Sequence, residues 1–438
     1  MKRLLGYSFS YSLLRNFTIQ AIWWVIFFPG FFSGDSFGAV NIAKTGEMTN
    51  AYTASWAIYV RLFSFHGHAI ALLTLINGFL LVYSVTRLGY SLFSNRTAAI
   101  STFLLTLTPV VSGMGVTLWH DILMSAGIVL VTAFFINYQR DPKNVKSIIF
   151  KDLIPGAILT SFRPNGLPTL LFFAFLYIGY LLIRKSSLTG ESTKLIFATL
   201  ALSCAVTFIG SNVIIGMSPI NNYYAQEWMR NDISCYAATA TGAGFVEKRI
   251  PGVGSTETWK SSDACAFLNR ATVTVEEKTQ AKKYVSSAWL HLLVTDPIFI
   301  IKTHLDRNAY LVPFPISGIP TEPFLHSAIE YKDQGINWAF PSIAEKARVI
   351  MRIWNAARGL TGWAGFWALV LILVALFRKD KYLVPAIFMS LALIGILFVV
   401  APIPDGRYAL FVLIAGQLAL IGNLVEWAQT GSNRRPTD

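Results

Sequence analysis

The sequence predicts an all-α polytopic membrane protein with about ten transmembrane helices and a polar segment inserted before the last three. Three observations predict this class. The 438 residues are 54% hydrophobic and only 13% charged, whereas soluble proteins carry about 25% charged residues. Several apolar runs reach the length of about 20 residues that crosses a bilayer. Finally, Lys and Arg collect in short segments between these runs, which is typical of cytoplasmic loops.

Ten apolar segments are assigned as transmembrane helices. The fifth and sixth are read as a hairpin over 153–183, because a single span there would place Arg378, Lys379 and Lys381 on the outer face, against the Lys/Arg bias of short loops. The segments are 16–33, 66–86, 97–114, 121–138, 153–163, 167–183, 195–217, 361–377, 382–401 and 407–427.

The distribution of charge orients these spans. The short loops near 112–120 and 402–406 carry no Lys or Arg and are predicted to lie outside, which leaves both termini in the cytoplasm. The cytoplasmic loops also account for the net charge of +13, so that no nucleic-acid partner is needed. No cleavable signal peptide is expected, because the apolar stretch after the basic residues 1–16 lacks a small-residue cleavage site.

The chain divides into three predicted regions: a transmembrane catalytic module over 1–217, an extracytoplasmic domain over 218–358 and C-terminal transmembrane helices over 359–438. Long domains translocate largely regardless of their charge. Cys235 and Cys265 lie in the middle region. An extracytoplasmic position would permit them to form a disulfide, and two free thiols remain an alternative because spacing alone does not fix a bridge.

Four polar clusters are predicted to reach the same face of the membrane. Ionisable residues at membrane depth are costly and usually mark a site, so their convergence is a stronger signal than any one of them. The clusters are Gly34-Asp35-Ser36 at the end of the first span, Trp119-His120-Asp121 at the start of the fourth, Ser161-Phe162-Arg163-Pro164-Asn165 at the hairpin tip, and Pro404-Asp405-Gly406-Arg407-Tyr408 at the start of the last.

Each cluster has a purely structural alternative. Asp35 could be the N-cap of a helix over roughly 36–46, and Asp121 could cap the fourth span, since aspartate suits that position. Arg163 could simply extend from a turn toward the membrane surface.

The remaining polar residues also have plain explanations. Asp405 and Arg407 could form a surface ion pair, which stabilises little. The pair His66-Gly67-His68 is too short to be interpreted as a metal site.

The stretch after Asp35, "GAVNIAKTGEMTNAYTASWAIYVRLFSF", is mildly amphipathic, with Trp56, Tyr59 and Phe63 among polar residues. Such segments can lie in the membrane interface. Asp35 would then stand at the boundary of water and lipid, where a base could act on a water-soluble acceptor beside a lipid-held donor.

Together these residues resemble the GT-C glycosyltransferases. The resemblance rests on Asp35 before interfacial helices, Asp121 in the next outer loop, the "FRPNG" tip and the late pair Arg407-Tyr408. It covers roughly 16–217 and, more weakly, 400–427.

The resemblance implies an enzyme of the bacterial inner membrane that transfers a sugar from a polyprenyl-phosphate carrier to an extracytoplasmic acceptor, with Asp35 as catalytic base. One feature departs from the common pattern of two adjacent acids in the first loop, because Ser36 follows Asp35. A divalent metal therefore remains undecided, with Glu47 or Asp121 as possible ligands.

The chemistry of such a transfer suits these residue types. A carboxylate can deprotonate the acceptor hydroxyl, and arginine contacts phosphate through a planar fork, which favours Arg163 and Arg407 as phosphate ligands. A single catalytic carboxylate suits direct, inverting displacement. The remaining substrate-binding candidates are His120, Asp121, Asn165, Asp405 and Tyr408.

Two other functions remain open: a transporter or flippase for a lipid-linked sugar, and an O-antigen-type polymerase or ligase. Binding residues of transporters tend to lie near the middle of the bilayer. The depth of Asp35 and Arg163 therefore discriminates between a transferase and a transporter.

Overall fold

The fold is entirely helical over the residues that the structure describes, apart from one isolated bridge between Phe31 and Thr117. The structure is a computed structural model, and it describes residues 7–47, 52–183, 190–212, 226–242, 244–253, 255–261, 265, 274–313, 337–401 and 406–431.

The first half of the chain contributes nine principal helices. They are α1 (Phe9–Ile26), α2 (Gly34–Thr45), α3 (Ala54–Phe63), α4 (Ile70–Leu92), α5 (Asn95–Thr106), α6 (His120–Arg140), α7 (Ile154–Thr160), α8 (Gly166–Ile183) and α9 (Gly190–Asn212), with shorter turns at Pro109–Gly113 and Val145–Ile148.

The second half contributes seven more. They are α10 (Glu227–Ala237), α11 (Val275–Thr295), α12 (Pro297–Arg307), α13 (Pro341–Ala356), α14 (Ala364–Arg378), α15 (Val384–Val400) and α16 (Leu410–Gly431), with short helices at Phe245–Arg249, Thr256–Trp259, Arg358–Thr361 and Gly406–Ala409.

Five helices of the described part are long and apolar enough to cross a membrane, namely α4, α6, α8, α15 and α16 with its preceding turn. Counting the bent pair α11–α12, whose halves meet at 106°, raises the number to six. The chain is thus an all-α polytopic membrane protein, and this count is smaller than the predicted ten spans.

Helix α1 falls outside this count because it carries several polar side chains, and these face the protein. Ser12, Asn16 and Gln20 are fully buried. The Asn16 amide donates to the Thr86 hydroxyl at 3.1 Å, which satisfies a buried polar group. The opposite side of the helix exposes an apolar stripe of Tyr11, Leu14, Ile22 and Val25. This distribution is the reverse of a soluble helix and suits a helix whose outer side meets lipid.

The first span was predicted over 16–33, but the helix ends at Ile26. Gly30 then takes a φ of +126°, which residues with a side chain rarely adopt. A Cβ on Gly30 would also come within 2.7 Å of the Val116 carbonyl. Asp35 therefore begins the next helix, α2, and does not end the first span.

The chain reverses direction between α7 and α8, as the hairpin interpretation requires. Asp152, ahead of α7, accepts hydrogen bonds from Arg87 (Nε, 2.8 Å) and Asn137 (3.1 Å), near the C-terminal ends of α4 and α6. Tyr177 of α8 returns to the same end, where its hydroxyl accepts from Gln139 at 2.5 Å. The turn between the arms, over 161–165, lies at the opposite end of the bundle.

The two ends of the helix bundle differ in charge. The end where α4 and α6 finish is called the basic end, and it carries Arg87, Arg140, Arg378 and Lys381. Arg140 stacks over the ring of Tyr382 at 4.6 Å and donates to the Leu92 carbonyl at 2.7 Å, which brings α4, α6 and the start of α15 together there. The other end, where α1 finishes and α6 begins, is called the site end.

Helices α10, α11 and α12 form a second core of their own, built from Ile233, Val246, Trp259, Val285, Leu292 and their neighbours. Cys235 and Cys265 are joined by a disulfide within it. Helix α13, which also falls within the predicted extracytoplasmic segment, contributes Ala344 and Met351 to the main core.

A buried ionic cluster organises this second core. Asp232 on α10 accepts hydrogen bonds from the Trp289 indole, the His304 ring and the Arg307 guanidinium, each at 2.8 Å. Asp232 and Arg307 are both fully buried. One carboxylate thereby ties α10 to both α11 and α12.

The same cluster attaches the second core to the membrane helices. His304 Nδ1 lies 2.6 Å from the backbone carbonyl of Phe398, near the end of α15. The Asn308 amide donates to this carbonyl at 3.3 Å. The second core is therefore docked at the site end of the bundle.

Candidate active site

A short pairing of two chain segments positions the site. The Leu118 N–H donates to the Phe31 carbonyl at 3.1 Å, and the Leu118 carbonyl accepts from the Ser36 hydroxyl at 3.0 Å. The Trp119 indole donates to the Ser33 hydroxyl at 2.6 Å. These bonds hold the start of α2 against the start of α6.

Both predicted aspartates lie in the first turn of a helix, but neither is the N-cap. Ser33 holds the N-cap position of α2 and Trp119 that of α6. The capping interpretation of Asp35 and Asp121 is therefore wrong. The helix N-terminus still favours a negative charge at both places, because the first N–H groups carry partial positive charge.

Four charged side chains meet between these helix starts. Arg407, just before α16, lies with Nη2 2.5 Å from Asp35 Oδ2 and with Nε 3.8 Å from Asp121 Oδ2. Arg163, from the hairpin turn, forms an ion pair with the other oxygen of Asp121. Along the series Asp35, Arg407, Asp121 and Arg163, negative and positive side chains alternate, so that the formal charges cancel.

These four side chains differ sharply in exposure. The Asp35 side chain is 46% exposed, whereas those of Asp121, Arg163 and Arg407 are 0%, 14% and 6% exposed. Asp35 is therefore the member of the cluster that solvent or a soluble molecule reaches. Asp121 lies beneath both guanidiniums, and its role in this arrangement is to hold them.

Aromatic rings fix the two guanidiniums further. Arg407 stacks over Trp119 at 4.5 Å, and Arg163 stacks over Tyr408 at 4.1 Å. The Tyr408 hydroxyl also lies 3.4 Å from Arg407 Nη2, from which it accepts. Such cation–π contacts are worth about 0.5–2 kcal/mol each, depending on desolvation.

The surroundings also set the acidity of Asp35. The protein buries the inner side of Asp35, which acts to raise the pKa of the carboxyl, although the outer edge of the side chain is open to solvent. The positive charge of Arg407, followed by His120 and Arg163, outweighs this and lowers the pKa of Asp35 below its ordinary value. Asp35 is therefore an anion at neutral pH, and while it is paired with Arg407 it is a weak base.

The other predicted residues are placed as follows. His120 is buried, 3.9 Å from Asp121 Oδ2 through Nδ1, with its ring 5.4 Å from that of Tyr52. Asn165 is buried next to the hairpin turn, and its Oδ1 has no hydrogen-bond partner within the described part of the chain. Asp405 lies outside the described residues.

Tyr52 also belongs to the site, although no sequence pattern singles it out. Its hydroxyl donates to the backbone carbonyl of Asp35 at 3.1 Å. A Cβ on Gly38 would meet that hydroxyl, so the small residue one turn after Asp35 makes room for it. Its position in the aromatic interfacial stretch was the available signal, but no spacing rule connects it to Asp35.

The possible metal ligands do not come together around Asp35. Glu47 follows the C-terminal end of α2, about 18 Å along the helix from Asp35. Asp121 directs its oxygens at Arg163 and Arg407. No group of three His, Cys, Asp or Glu side chains converges anywhere in the described ranges.

No protein-family model matches the chain, and no curated protein matches it at a significant level. Solved structures are similar in fold at low identity. The oligosaccharyltransferase of Archaeoglobus fulgidus, in complex with Zn and sulfate, is 11% identical with a TM-score of 0.43 over 96% of this chain and 50% of that chain. The archaeal oligosaccharyltransferase AglB from the same organism, in complex with an inhibitory peptide and a dolichol-phosphate, is 15% identical with a TM-score of 0.41 over 97% and 51%.

ArnT from Cupriavidus metallidurans, bound to undecaprenyl phosphate, is 12% identical with a TM-score of 0.37 over 98% of this chain and 82% of that chain. This chain spans about half the length of the two oligosaccharyltransferase chains. Likenesses at this level do not assign an activity.

Proposed function

We propose that the protein is a GT-C-type membrane glycosyltransferase that moves a sugar from a polyprenyl-phosphate carrier to an extracytoplasmic glycan, lipid or protein. The observation that carries the proposal is the pairing of one half-exposed carboxylate, Asp35, with two buried guanidiniums, Arg163 and Arg407, at the ends of membrane helices. A base open to solvent and a pair of arginines that can bind the donor phosphate are the two parts that this transfer requires.

Asp35 acts as the general base in this proposal. The acceptor hydroxyl attacks the anomeric carbon of the sugar, the bond from that carbon to the phosphate oxygen breaks, and the hydroxyl proton passes to the Asp35 carboxylate. The polyprenyl phosphate leaves with the bonding electrons. One displacement without a covalent enzyme intermediate inverts the anomeric configuration.

Arg163 and Arg407 receive the donor phosphate. A guanidinium binds phosphate through two parallel N–H donors, and both groups are already oriented by Asp121 and by aromatic rings. Negative charge grows on the phosphate as the sugar leaves, so these preorganised cations stabilise the transition state more than the ground state.

The ion pair between Arg407 and Asp35 determines the order in which donor binding and proton transfer occur. A bound phosphate competes with Asp35 for Arg407, since both are anions. When the phosphate takes the place of Asp35 at the Arg407 guanidinium, Asp35 loses its closest cation, and its carboxylate becomes a stronger base. Donor binding therefore activates the base, and the donor should bind before the acceptor reacts.

The orientation of the chain supports an extracytoplasmic site. Lys and Arg in short loops favour the cytoplasm, and they gather at the basic end, opposite the site. The Cys235–Cys265 disulfide belongs to the core docked at the site end, and disulfides persist in oxidising compartments. In a bacterial inner membrane this arrangement directs the site toward the periplasm.

A lipid-linked sugar transporter is the main alternative. A transporter site is expected near the bilayer midplane, on interrupted helices. Asp35, Asp121, Arg163 and Arg407 instead lie at helix starts and at a hairpin turn. This depth favours the transferase, and it leaves an O-antigen-type polymerase or ligase as a related alternative that uses the same lipid-linked substrate class.

Reconstitution tests the proposal. The purified protein in liposomes is supplied with a panel of polyprenyl-phosphate-linked hexoses and pentoses and with envelope glycan, lipid and peptide acceptors. Transfer of labelled sugar with release of polyprenyl phosphate supports it. Movement of the intact lipid-linked sugar between leaflets, without cleavage of the sugar–phosphate bond, would establish the transporter instead.

A further inference from the structure

Helix α13 (Pro341–Ala356) has two apolar sides, and the protein covers only one of them. Ala344 and Met351 are buried in the main core. Ile343, Ile350 and Ile353 are 52%, 52% and 66% exposed. Because they are seven and three residues apart, they share one side of the helix. The helix therefore presents an aligned apolar stripe that the described residues leave open.

The position of the helix places this stripe at the membrane boundary. The Ala339 N–H, just before α13, donates to the Phe28 carbonyl at 2.9 Å, directly after the end of α1. The Trp338 ring packs against Phe27 at 6.0 Å. Met351 lies against Gly113, where a Cβ would come within 3.1 Å of the Met351 methyl group. Helix α13 thus lies against the end of α1 and the turn that follows α5, at the site end of the bundle.

The charges on α13 suit a lipid surface. Lys346 is exposed and lies on the same side as the isoleucines, between Ile343 and Ile350. A lysine can extend its ammonium to the phosphate level while its methylenes stay among apolar groups. On the neighbouring side, Glu345 pairs with Arg348 at 3.0 Å, and Arg352 is exposed. The helix carries three basic residues and one acidic residue.

We infer that α13 lies in the membrane plane at the site end, with Ile343, Ile350 and Ile353 among the acyl chains and Lys346 at the lipid phosphates. An amphipathic helix with a basic polar side binds a bilayer in this way. The occupant of the stripe is lipid and not a second protein copy, because α13 packs against the end of α1, whose outer side is apolar and exposed, and carries a cation within its own apolar stripe. The inference does not depend on the proposed enzymatic activity.

Lipid quenching of a fluorophore tests it in the full-length protein. Ile350→Cys and Glu345→Cys are made as separate variants in a Cys204→Ala background, and each is labelled with an environment-sensitive fluorophore. Each labelled protein is placed in nanodiscs, one molecule per disc, whose lipids carry bromine on the acyl chains. We expect the label at position 350 to be quenched at least about twofold more than the label at 345, which lies on the polar side.

Two results would overturn the inference. Equal quenching at both positions would show that α13 has no lipid-facing side. A blue-shifted but unquenched label at 350 would show that protein covers the stripe, since one molecule per disc excludes a second copy. Ile353→Cys provides a repeat with a different substitution, so that a variant that fails to fold does not decide the outcome.

Discussion

At the scale of single residues, the two aspartates of the site differ in what surrounds them and therefore in what they can do. Asp35 is half-exposed and touches one guanidinium. Asp121 is fully buried beneath two. A buried carboxylate needs such partners, because an uncompensated buried charge costs several kcal/mol. In the proposed mechanism Asp35 is therefore the base, and Asp121 positions the arginines.

Asp35→Asn separates a catalytic from a structural role. Asparagine keeps the size of the side chain but cannot take a proton, so we expect transfer to fall by about a hundredfold to ten-thousandfold. Donor binding and folding should persist, since Asp35 itself is half-exposed and the buried Arg407 keeps Asp121 and the Trp119 ring as partners. Transfer rates and donor affinity are measured on the same preparation, and a variant that transfers at the wild-type rate would remove Asp35 as the base.

Arg163→Lys and Arg407→Ala test the phosphate site. Lysine keeps the charge of Arg163 but loses the planar fork, so we expect a higher KM for the donor. Arg407→Ala should raise the donor KM more than the acceptor KM. Steady-state kinetics with each substrate varied in turn checks both, with the exposed Arg352→Lys as control. Unchanged donor kinetics in both variants would make the two arginines structural.

The residue types of the site were predictable, and their contacts were not. Polar residues at span ends drew attention to Asp35, Asp121, Arg163 and Arg407, because charges at membrane depth are costly. The sequence does not show that Arg407 lies between both aspartates, since such a contact depends on the packing of three helices. Tyr52 was missed for the same reason.

At the scale of helices, apolar length was the reliable signal for α4, α6, α8, α15 and α16. Helix boundaries were less predictable. The apolar run through Phe32 extended the first predicted span past Pro29-Gly30, where the helix has already ended. The cluster of Asp232, His304 and Arg307 also escaped prediction, because its members lie 72 and 75 residues apart in sequence.

Asp232 should control the stability of the second core. Asp232→Ala leaves Arg307 buried without its counterion, and breaking a buried pair costs about 3–5 kcal/mol. Hydrogen exchange over helices α10 to α12 should therefore accelerate, while α4 and α6 remain protected. Glu257→Ala, at a 73% exposed side chain on the same core, is the matched control. Equal protection in both variants would contradict the role of Asp232.

The same carboxylate predicts an acid limit for this core. Burial acts to raise the pKa of Asp232, but hydrogen bonds from His304 and the charge of Arg307 lower it below its ordinary value. A carboxylate whose pKa is lowered by folding stabilises the folded state fully above its ordinary pKa, about 3.9. This stabilisation is lost as the pH falls through the lowered pKa of the folded state. The protection of the amides of α10 to α12, relative to an unfolded chain at the same pH, should therefore fall below about pH 4. The fall should be less steep in Asp232→Asn.

At the scale of the whole molecule, function depends on which compartment the site end faces. Charge separates the two ends of the bundle, and the disulfide-bonded core, α13 and the four-residue cluster all belong to the same end. The basic residues of the bundle thus lie at one end and the proposed chemistry at the other. The proposed extracytoplasmic acceptors can therefore reach the site only if the site end faces away from the cytoplasm.

Labelling in intact cells measures that orientation. In a Cys204→Ala background, Glu257→Cys places an exposed thiol on the disulfide-bonded core, and Lys379→Cys places one at the basic end. If the site end is extracytoplasmic, a membrane-impermeant maleimide modifies position 257 in intact cells and position 379 only after lysis. A disulfide-bonded Cys235–Cys265 pair should stay unlabelled without reductant. The reverse pattern would place the site in the cytoplasm, where a periplasmic acceptor is out of reach and the proposed transfer cannot occur.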